Sequence, residues 1–167
     1  MNEILNEPHP DCDWVFRGEG DATTKYDGTC VLIKDDKSFW KRRMIKKGKT
    51  APKNFISVDT DPNTGKTFGW VPVDPNDPEN KYHMEAYHEN LPPGTYELVG
   101  PKIQGNPEKT NCHILVKHEN ATVQSDAPRE YDSLKDWLKD KDIEGLVFHH
   151  PDGRMAKIKK SDFGFKR

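Results

Sequence analysis

The sequence predicts an α+β domain built mainly from antiparallel sheets, with few helices. Most apolar segments are short, and Gly, Pro, Asn and Asp are frequent in the sequence between them, which is typical of strands joined by turns. Residues 133–139 are the one segment with clear helical spacing, because its apolar residues share a helical face and Ser133 can cap the first turn. Runs of strands without alternating helices favour antiparallel over parallel pairing.

The first predicted strands follow an irregular lead-in over residues 1–13. Residues 22–33 give two strands joined by the tight turn Asp27-Gly28, and residues 38–44 give a further strand. This succession of strands and turns predicts a β-meander.

Proline interrupts the middle of the chain. Residues 51–81 contain many prolines and are predicted to be mostly turns and loop. Within them, residues 68–73 form an apolar segment that is predicted as an edge strand, because an edge tolerates Pro72. The remaining strands are predicted at residues 95–100, 113–116, 145–149 and 155–159.

Length and composition exclude several classes of protein. The 167 residues fit a single domain over residues 1–167, and the hydrophobic and charged fractions are both 32%. No apolar run approaches the roughly 20 residues of a membrane-spanning helix, and the amino-terminal residues lack an apolar signal segment. The widely spaced cysteines indicate neither a disulfide framework nor a CxxC metal motif. We therefore expect a cytoplasmic protein without a membrane partner, and a monomer.

Positive charge is concentrated in two segments, although the net charge is only −2. Residues 34–53 carry many Lys and Arg side chains against only Asp35 and Asp36, and residues 157–167 contain Asp162 as their one acid. Such segments either form a solvated surface or bind a polyanion. Both alternatives stay open from the sequence.

Several charged positions are candidates for a chemical site. Lys25 precedes a tight turn, and a lysine amine becomes a nucleophile when it is desolvated or placed beside other cations. Lys157 and Lys159 are two residues apart on a predicted strand, so both point to one face. Glu97 and Glu144 lie in apolar strand sequence, where a carboxylate needs a cation or a metal ion.

These residues fall in motifs that resemble, in order and spacing, those of the covalent nucleotidyltransferases, the superfamily of polynucleotide ligases and mRNA capping enzymes. The motifs are Lys25-Tyr26-Asp27-Gly28, residues 96–100, residues 144–149 and Lys157-Ile158-Lys159. With Gly69-Trp70-Val71-Pro72-Val73 and Gly105-Asn106-Pro107, the chain is most similar to the ATP-dependent RNA ligases of the group that includes the vertebrate 5′-to-3′ RNA ligase and the Deinococcus-type enzyme. The resemblance extends from about residue 18 to residue 165.

The resemblance implies an ATP-grasp-like nucleotidyltransferase (adenylation) domain. Because little sequence follows the last motif, we expect no C-terminal OB domain. The resemblance also implies an RNA-repair enzyme that joins RNA ends bearing a 5′-phosphate and a 3′-hydroxyl, through lysyl-adenylate and RNA-adenylate intermediates. The implied cofactors are ATP and Mg²⁺ or Mn²⁺. Two alternatives stay open, namely a nucleotidyltransferase of DNA-nick or capping type and an inactive nucleic-acid-binding relative.

By the same resemblance, three residues would handle the adenosine part of ATP and the covalent step. Lys25 would attack the α-phosphorus and form the lysyl-adenylate, with release of pyrophosphate. Thr24 would help to read the adenine edge, and His113 would stack on the adenine ring. The alternative for His113 is an ordinary strand histidine.

The resemblance gives the remaining motif residues roles at the phosphates and the metal ion. Glu144 would hold the divalent cation, and Glu97 would bind the ribose or take part in the metal shell. Lys157 and Lys159 would clamp the α-phosphate. These roles agree with the chemistry of phosphoryl transfer, which depends on positioning and on charge stabilisation.

One departure concerns the position at which DNA ligases carry an arginine soon after the lysine motif. This chain has Cys30 there, which argues against the DNA-ligase branch. Arg42 is the expected substitute contact to ribose or phosphate, with Arg43 as the alternative. RNA is expected to bind the basic residues 41–53, supported by Lys166 and Arg167.

Overall fold

The structure is a computed structural model that describes residues 7–167, so residues 1–6 of the predicted lead-in lie outside the described residues. It is α+β with antiparallel sheets and few helices, which confirms the predicted fold class. The chain divides into two compact units, which we name the central unit (residues 27–120) and the terminal unit (residues 7–26 and 121–167). The single nucleotidyltransferase domain over residues 1–167 stays a prediction.

The secondary-structure elements follow in chain order. The strands are β1 (Asp21–Lys25), β2 (Thr29–Ile33), β3 (Phe39–Ile45), β4 (Ile56–Thr60), β5 (Thr67–Pro72), β6 (Gly94–Val99), β7 (Ile114–Lys117), β8 (Gly145–His149) and β9 (Met155–Lys159). The α-helices are α1 (Asp13–Phe16), α2 (Lys81–Ala86) and α3 (Tyr131–Lys139). Short 3-10 helices cover Pro10–Cys12, Pro78–Asn80, His118–Asn120 and Lys160–Phe163.

The terminal unit contains an antiparallel sheet with the strand order β1-β8-β9. One face of this sheet packs with α1 and α3 in a hydrophobic core of Trp14, Val15, Ala22, Ala127, Leu134, Leu138, Leu146 and Phe148. Because side chains alternate along a strand, the neighbours of these core residues point to the opposite face. That opposite face carries charged residues of the candidate site.

The central unit contains an antiparallel sheet with the strand order β4-β5-β3-β2-β6-β7. Its core consists of Val31, Ile33, Phe39, Val73, Ala86, Tyr96 and Leu98, so the sheet packs on one face against α2. Alternation places Cys30, Arg42, Trp70 and Glu97 on the face opposite this core. We name this second surface the outer face.

The predicted pairing of the two strands in residues 22–33 is wrong. β1 pairs with β8, whereas β2 pairs with β3 and β6, so the two strands belong to different sheets. The turn Asp27-Gly28 carries the chain from one sheet to the other. Glycine is required in it because a Cβ atom on Gly28 would lie 2.1 Å from the carbonyl oxygen of Leu98. A local pattern indicates strands and turns, but it does not determine which strands pair.

The proline-rich segment contains more regular structure than the sequence predicts. β4 lies in the part predicted as turns and loop, because all its side chains are exposed and give no pattern of buried apolar residues. Its pairing with β5 places β5 between β4 and β3, so the prediction of an edge strand is wrong. Pro72 is tolerated because it is the last residue of β5.

The helix prediction is right about the apolar face and wrong about the start. α3 begins at Tyr131, and Ser133 lies inside its first turn, where its Oγ donates a hydrogen bond to the carbonyl oxygen of Glu130 at 3.3 Å. Leu134 and Leu138 are buried as predicted. The sequence does not predict α1 and α2, which are too short to show an apolar period.

The later strands confirm the sequence prediction closely, since β8 and β9 have the predicted bounds and β6 and β7 differ by one residue at their ends. No helix within residues 7–167 is long and apolar enough to cross a membrane. The cytoplasmic location and the monomeric state stay predictions.

Candidate active site

The centre of the candidate site in the terminal unit is an ion pair between Lys25 and Glu144. Lys25 is the last residue of β1, and Glu144 directly precedes β8, whose Gly145 is the register partner of Lys25. Lys25 Nζ donates a hydrogen bond to Glu144 Oε2 at 2.7 Å. The two side chains are 22% and 24% exposed, so the pair is shielded from bulk water and still reachable by a ligand.

Two further lysines lie on the same face of this sheet. Val147 pairs with both Thr23 and Lys157, and Gly145 pairs with both Lys25 and Lys159. Since residues in register share a face, Lys25, Lys157 and Lys159 all point away from the hydrophobic core. The structure therefore brings together the nucleophile candidate and the predicted phosphate-binding pair.

Gly145 separates Lys25 from Lys159 across the sheet. Two strand spacings place the Cα atoms of these lysines about 10 Å apart. A Cβ atom on Gly145 would lie 2.0 Å from the carbonyl oxygen of Ile158, so the close approach of β9 requires glycine. Because Gly145 has no side chain, the space above the sheet between the two ammonium groups is not filled by the strand that lies between them.

Thr24 is fixed by neighbours in its own unit. Its backbone N–H donates to the carbonyl oxygen of Thr122 at 2.8 Å, and its Oγ1 accepts a hydrogen bond from Gln124 Nε2 at 3.0 Å. The residue is only 7% exposed. This backbone N–H is therefore already used, and the role of Thr24 in reading adenine stays a prediction.

In the central unit, Glu97 forms a hydrogen bond with His118 that the sequence did not predict. Glu97 lies on β6, and its Oε2 is 2.8 Å from Nε2 of His118, while Nδ1 of this ring is 2.9 Å from Thr95 Oγ1. Cys30 is the register partner of Glu97 on β2 and faces the same side. His118 lies two residues after Val116, the register partner of Glu97 on β7, so the alignment of β6 with β7 brings the two side chains to one face.

His113 is buried against other side chains of the central unit. Its ring stacks on Tyr82, with centroids 4.3 Å apart, and Nδ1 lies 3.0 Å from Glu85 Oε1. Nε2 accepts a hydrogen bond from the backbone N–H of Lys102 at 3.1 Å. The hydrogen bond with His113 lowers the pKa of Glu85 below its ordinary value. These contacts favour the alternative of a structural histidine, and stacking on adenine stays a prediction.

Arg42 and Arg43 are consecutive residues of β3, so they lie on opposite faces of the sheet. Arg42 is exposed on the outer face, with Cζ 5.3 Å from the ring centroid of Phe68. Arg43 is also exposed, opposite Gly69 on β5. Of the two, Arg42 shares the outer face with Glu97, and the choice of Arg42 over Arg43 stays a prediction.

The donor groups of the terminal unit fit ATP and a hard divalent cation in chemical type. Three lysines on one face can balance the negative charge of a triphosphate. The carboxylate oxygens of Glu144 are ligands that Mg²⁺ and Mn²⁺ prefer. Arg42, Glu97 and His113 belong to the central unit, so the predicted site residues are divided between the two units.

Comparison with known proteins shows what this chain resembles. A family model described as RNA ligase 1 matches residues 78–167, which include Glu97, His118, Glu144 and both predicted phosphate-binding lysines. The chain is also similar to curated proteins with the name RNA ligase 1. The protein from Pongo abelii is 23% identical over 85% of this chain and 66% of its own length.

Two further relatives have similar identity. RNA ligase 1 from Mus musculus is 24% identical over 97% of this chain and 71% of its own length. RNA ligase 1 from Danio rerio is 24% identical over 61% of this chain and 42% of its own length. The matches thus span 66% of the Pongo abelii protein and 42% of the Danio rerio protein.

Proposed function

This chain belongs to the RNA ligase 1 family, and from that premise we propose that it is an ATP-dependent RNA ligase that joins a 5′-phosphate to a 3′-hydroxyl. The observation that carries the proposal is the arrangement around Lys25. A lysine in the Lys-x-Asp-Gly motif lies 2.7 Å from a carboxylate and shares its sheet face with Lys157 and Lys159. This arrangement supports a covalent nucleotidyl transfer to Lys25.

In the first step, Lys25 Nζ attacks the α-phosphorus of ATP. A P–N bond forms, the P–O bond to the β-phosphate breaks, and pyrophosphate leaves with the electron pair of that bond. Nζ must lose a proton to provide its lone pair, and Glu144 Oε2 is the acceptor that already holds a hydrogen bond from it. Lys157 and Lys159 bind the α-phosphate and stabilise the charge that develops on its oxygens.

Carboxylates of the chain are the proposed ligands of the cation, with Glu144 in the terminal unit as the principal one. Mg²⁺ or Mn²⁺ held there would supply charge neutralisation at the phosphates. Glu97 is the proposed contact to the ribose or to the metal shell. Thr24 and Arg42 are proposed contacts to adenine and to ribose or phosphate, respectively.

Two later steps complete the proposed reaction. An oxygen of the RNA 5′-phosphate attacks the phosphorus of the lysyl-adenylate, the P–N bond breaks, and Lys25 leaves as an amine and takes up a proton. The 3′-hydroxyl of the second RNA end then attacks the 5′-phosphorus of the RNA-adenylate. Its proton passes to solvent, a new P–O bond gives the phosphodiester, and the P–O bond to the adenylate breaks, so that AMP leaves with the electron pair of that bond.

The outer face of the central unit supplies a surface suited to RNA. Arg42, Trp70 and Ile56 are register partners on β3, β5 and β4, so they form a row across three strands. Phe68 lies two residues before Trp70 on the same face and contacts the Arg42 guanidinium. Phe68 and Trp70 are half-buried. Partly exposed aromatic rings beside an arginine on a sheet can form a platform on which unpaired RNA bases stack.

Basic residues continue from this surface. Lys46, Lys47 and Lys49 follow the end of β3 and are all exposed. Phosphates need local positive charge because the whole chain has a net charge of −2. We propose that bases contact the outer face around Trp70 and that phosphates contact the adjoining lysines.

Incubation with α-labelled ATP, or separately with α-labelled GTP, tests the covalent step. We expect the label to remain on the denatured protein only with ATP, and Lys25→Ala to abolish it. Lys139→Ala is the control, because Lys139 is an exposed lysine on α3 of the same unit and should leave labelling unchanged. Labelling with GTP would instead indicate the capping-type alternative, and no labelling with either nucleotide would indicate an inactive relative.

A further inference from the structure

Three side chains of the central unit that differ in chemical type bring their donor atoms to one point. The Sγ atom of Cys30, a carboxylate oxygen of Glu97 and a ring nitrogen of His118 lie within 4.8 Å of one another. We propose that these residues bind a borderline transition-metal ion, Zn²⁺ above all. This site differs from the magnesium or manganese site proposed for Glu144.

The fold fixes two of these donors by strand register. Cys30 on β2 and Glu97 on β6 are directly paired, and both lie on the outer face. Their side chains are therefore neighbours for as long as this pair of strands is intact. His118 begins the short 3-10 helix after β7, which is paired with β6 on its other side. Three adjacent strands thus bring the donors together.

Thr95 fixes the orientation of the His118 ring through a hydrogen bond to Nδ1. It lies two residues before Glu97 on the same strand, and its Oγ1 is 2.9 Å from Nδ1 of His118. The other ring nitrogen, Nε2, points at Glu97, with 2.8 Å between Nε2 and Oε2. A histidine that ligates a metal through one nitrogen commonly donates its other N–H to an outer partner, and Thr95 is placed for that role.

The distances leave room for the ion after small side-chain adjustments. Zn²⁺ lies about 2.3 Å from a thiolate sulfur and about 2.0–2.2 Å from nitrogen or carboxylate oxygen, so tetrahedral donors are roughly 3.5 Å apart. Entry of the ion replaces the hydrogen bond between Glu97 and His118 by two metal–ligand bonds. The Glu97 and His118 side chains are 13% and 29% exposed, which shields the site and still admits an ion.

The donor set selects the kind of ion. A thiolate, an imidazole and a carboxylate suit Zn²⁺ or Co²⁺, whereas Mg²⁺ requires oxygen ligands. Three protein ligands leave a fourth position for water or another ligand. A consequence, which rests on the proposed function, is that Zn²⁺ would occupy Glu97 and prevent its contact with ribose, so Zn²⁺ should inhibit adenylation.

Titration of the metal-free chain with Co²⁺ alone tests the site without reference to activity. We expect one Co²⁺ per chain with a thiolate-to-cobalt charge-transfer band in the near ultraviolet, and displacement of this Co²⁺ by Zn²⁺. Cys30→Ser should abolish the band, and Thr95→Val should weaken Zn²⁺ binding roughly tenfold through loss of the outer partner. Cys112→Ser is the matched control, because Cys112 is an exposed cysteine of the same unit.

His118→Gln is a second variant, which keeps the test decisive if Cys30→Ser fails to fold. It should also lose tight Zn²⁺ binding, because it removes the imidazole ligand and keeps a polar side chain. Absence of the charge-transfer band, or a band that Cys112→Ser removes and Cys30→Ser does not, would overturn the inference. Failure of the ligase proposal has a different signature, because the chain would then bind Co²⁺ as described and take no label from ATP in Mg²⁺.

Discussion

Lys25 and Glu144 are separated by 119 residues in the chain, yet Lys25 Nζ and Glu144 Oε2 lie 2.7 Å apart. The carboxylate holds the lysine side chain above the sheet in a defined orientation. The same carboxylate can accept the proton that the Lys25 ammonium group must lose before its nitrogen can attack phosphorus. The pair therefore positions the candidate nucleophile and supplies its nearest base.

Replacement of this carboxylate should damage the covalent step more than the fold. We expect Glu144→Ala to reduce the rate of lysyl-adenylate formation by on the order of 10²–10³, the usual cost of removing one preorganised group at a reacting centre. Label transfer from α-labelled ATP measures this rate. Asp136→Ala, at an exposed carboxylate of α3, should have no effect. A rate close to that of the parent protein would show that Glu144 lies outside the reaction centre.

Gly145→Ala should disturb the spacing of the lysines. The new Cβ would lie 2.0 Å from the carbonyl oxygen of Ile158, so β8 and β9 would have to separate. We expect a loss of about 1–3 kcal/mol in the free energy of unfolding, as for other overpacked sites, together with slower adenylation. Urea unfolding and label transfer measure the two effects. Gly153→Ala is the control, because a Cβ atom at Gly153 would meet no other atom within 4 Å. Its positive φ of 95° adds backbone strain, so this variant should lose some stability and keep the parent rate of adenylation.

The site residues show which features of the structure can be predicted from the sequence alone. Motif spacing places Lys25, Lys157 and Lys159 on strands and Glu144 directly before one, because alternation along a strand is a local property. The sequence does not predict the pair of Glu97 with His118, which depends on how β6 and β7 align. It also misses that β1 pairs with β8 rather than with β2, since pairing across such a separation leaves no local pattern.

Adenylation should require a divalent cation. Carboxylate ligands such as Glu144 suit Mg²⁺ and Mn²⁺, and the α-phosphate needs charge neutralisation during attack. We expect excess EDTA to abolish label transfer and a subsequent excess of Mg²⁺ to restore it. Far-ultraviolet circular dichroism should be the same in EDTA, because the cores of both units are formed by side chains and not by an ion. Label transfer that persists in EDTA would contradict the metal requirement.

RNA sealing should depend on the basic residues next to β3. Reversal of Lys46, Lys47 and Lys49 to Glu should impair the sealing of a preadenylated RNA more than it impairs lysyl-adenylate formation, because only sealing requires the RNA phosphates. Sealing by the parent protein should also weaken as salt is raised. Reversal of Lys81, Lys102 and Lys139, which are exposed elsewhere, is the charge-matched control. Equal rates and equal salt dependence in the two variants would mean that the lysines form a solvated surface.

The stability of the central unit should depend on pH through His83. Burial, followed by the positive charge of Lys41, lowers the pKa of this α2 histidine below its ordinary value of 6.5. As the pH falls below about 6.5, the unfolded chain takes up a proton that the folded chain does not, so the free energy of unfolding decreases. Neither ring nitrogen has a hydrogen-bond partner among the described residues, so His83→Phe loses little.

Urea unfolding at pH 7.5 and pH 5.5 checks the predicted contribution of His83 to the pH dependence of stability. The parent protein should lose more stability between these two conditions than His83→Phe does. An equal loss in both proteins would show that the histidine stays neutral, or becomes charged, equally in the folded and unfolded chains.

The terminal unit is assembled from two separate parts of the chain, whereas the central unit is continuous. During synthesis, residues 27–120 can collapse and pair their strands as they emerge from the ribosome. β1 cannot form its sheet until β8 and β9 have been synthesised, more than a hundred residues later. Lys25 is therefore translated early and becomes oriented late. A ribosome-bound chain that stops before Glu144 carries Lys25 without Glu144, Lys157 or Lys159, so the candidate site of the terminal unit forms only after β8 and β9 have been made.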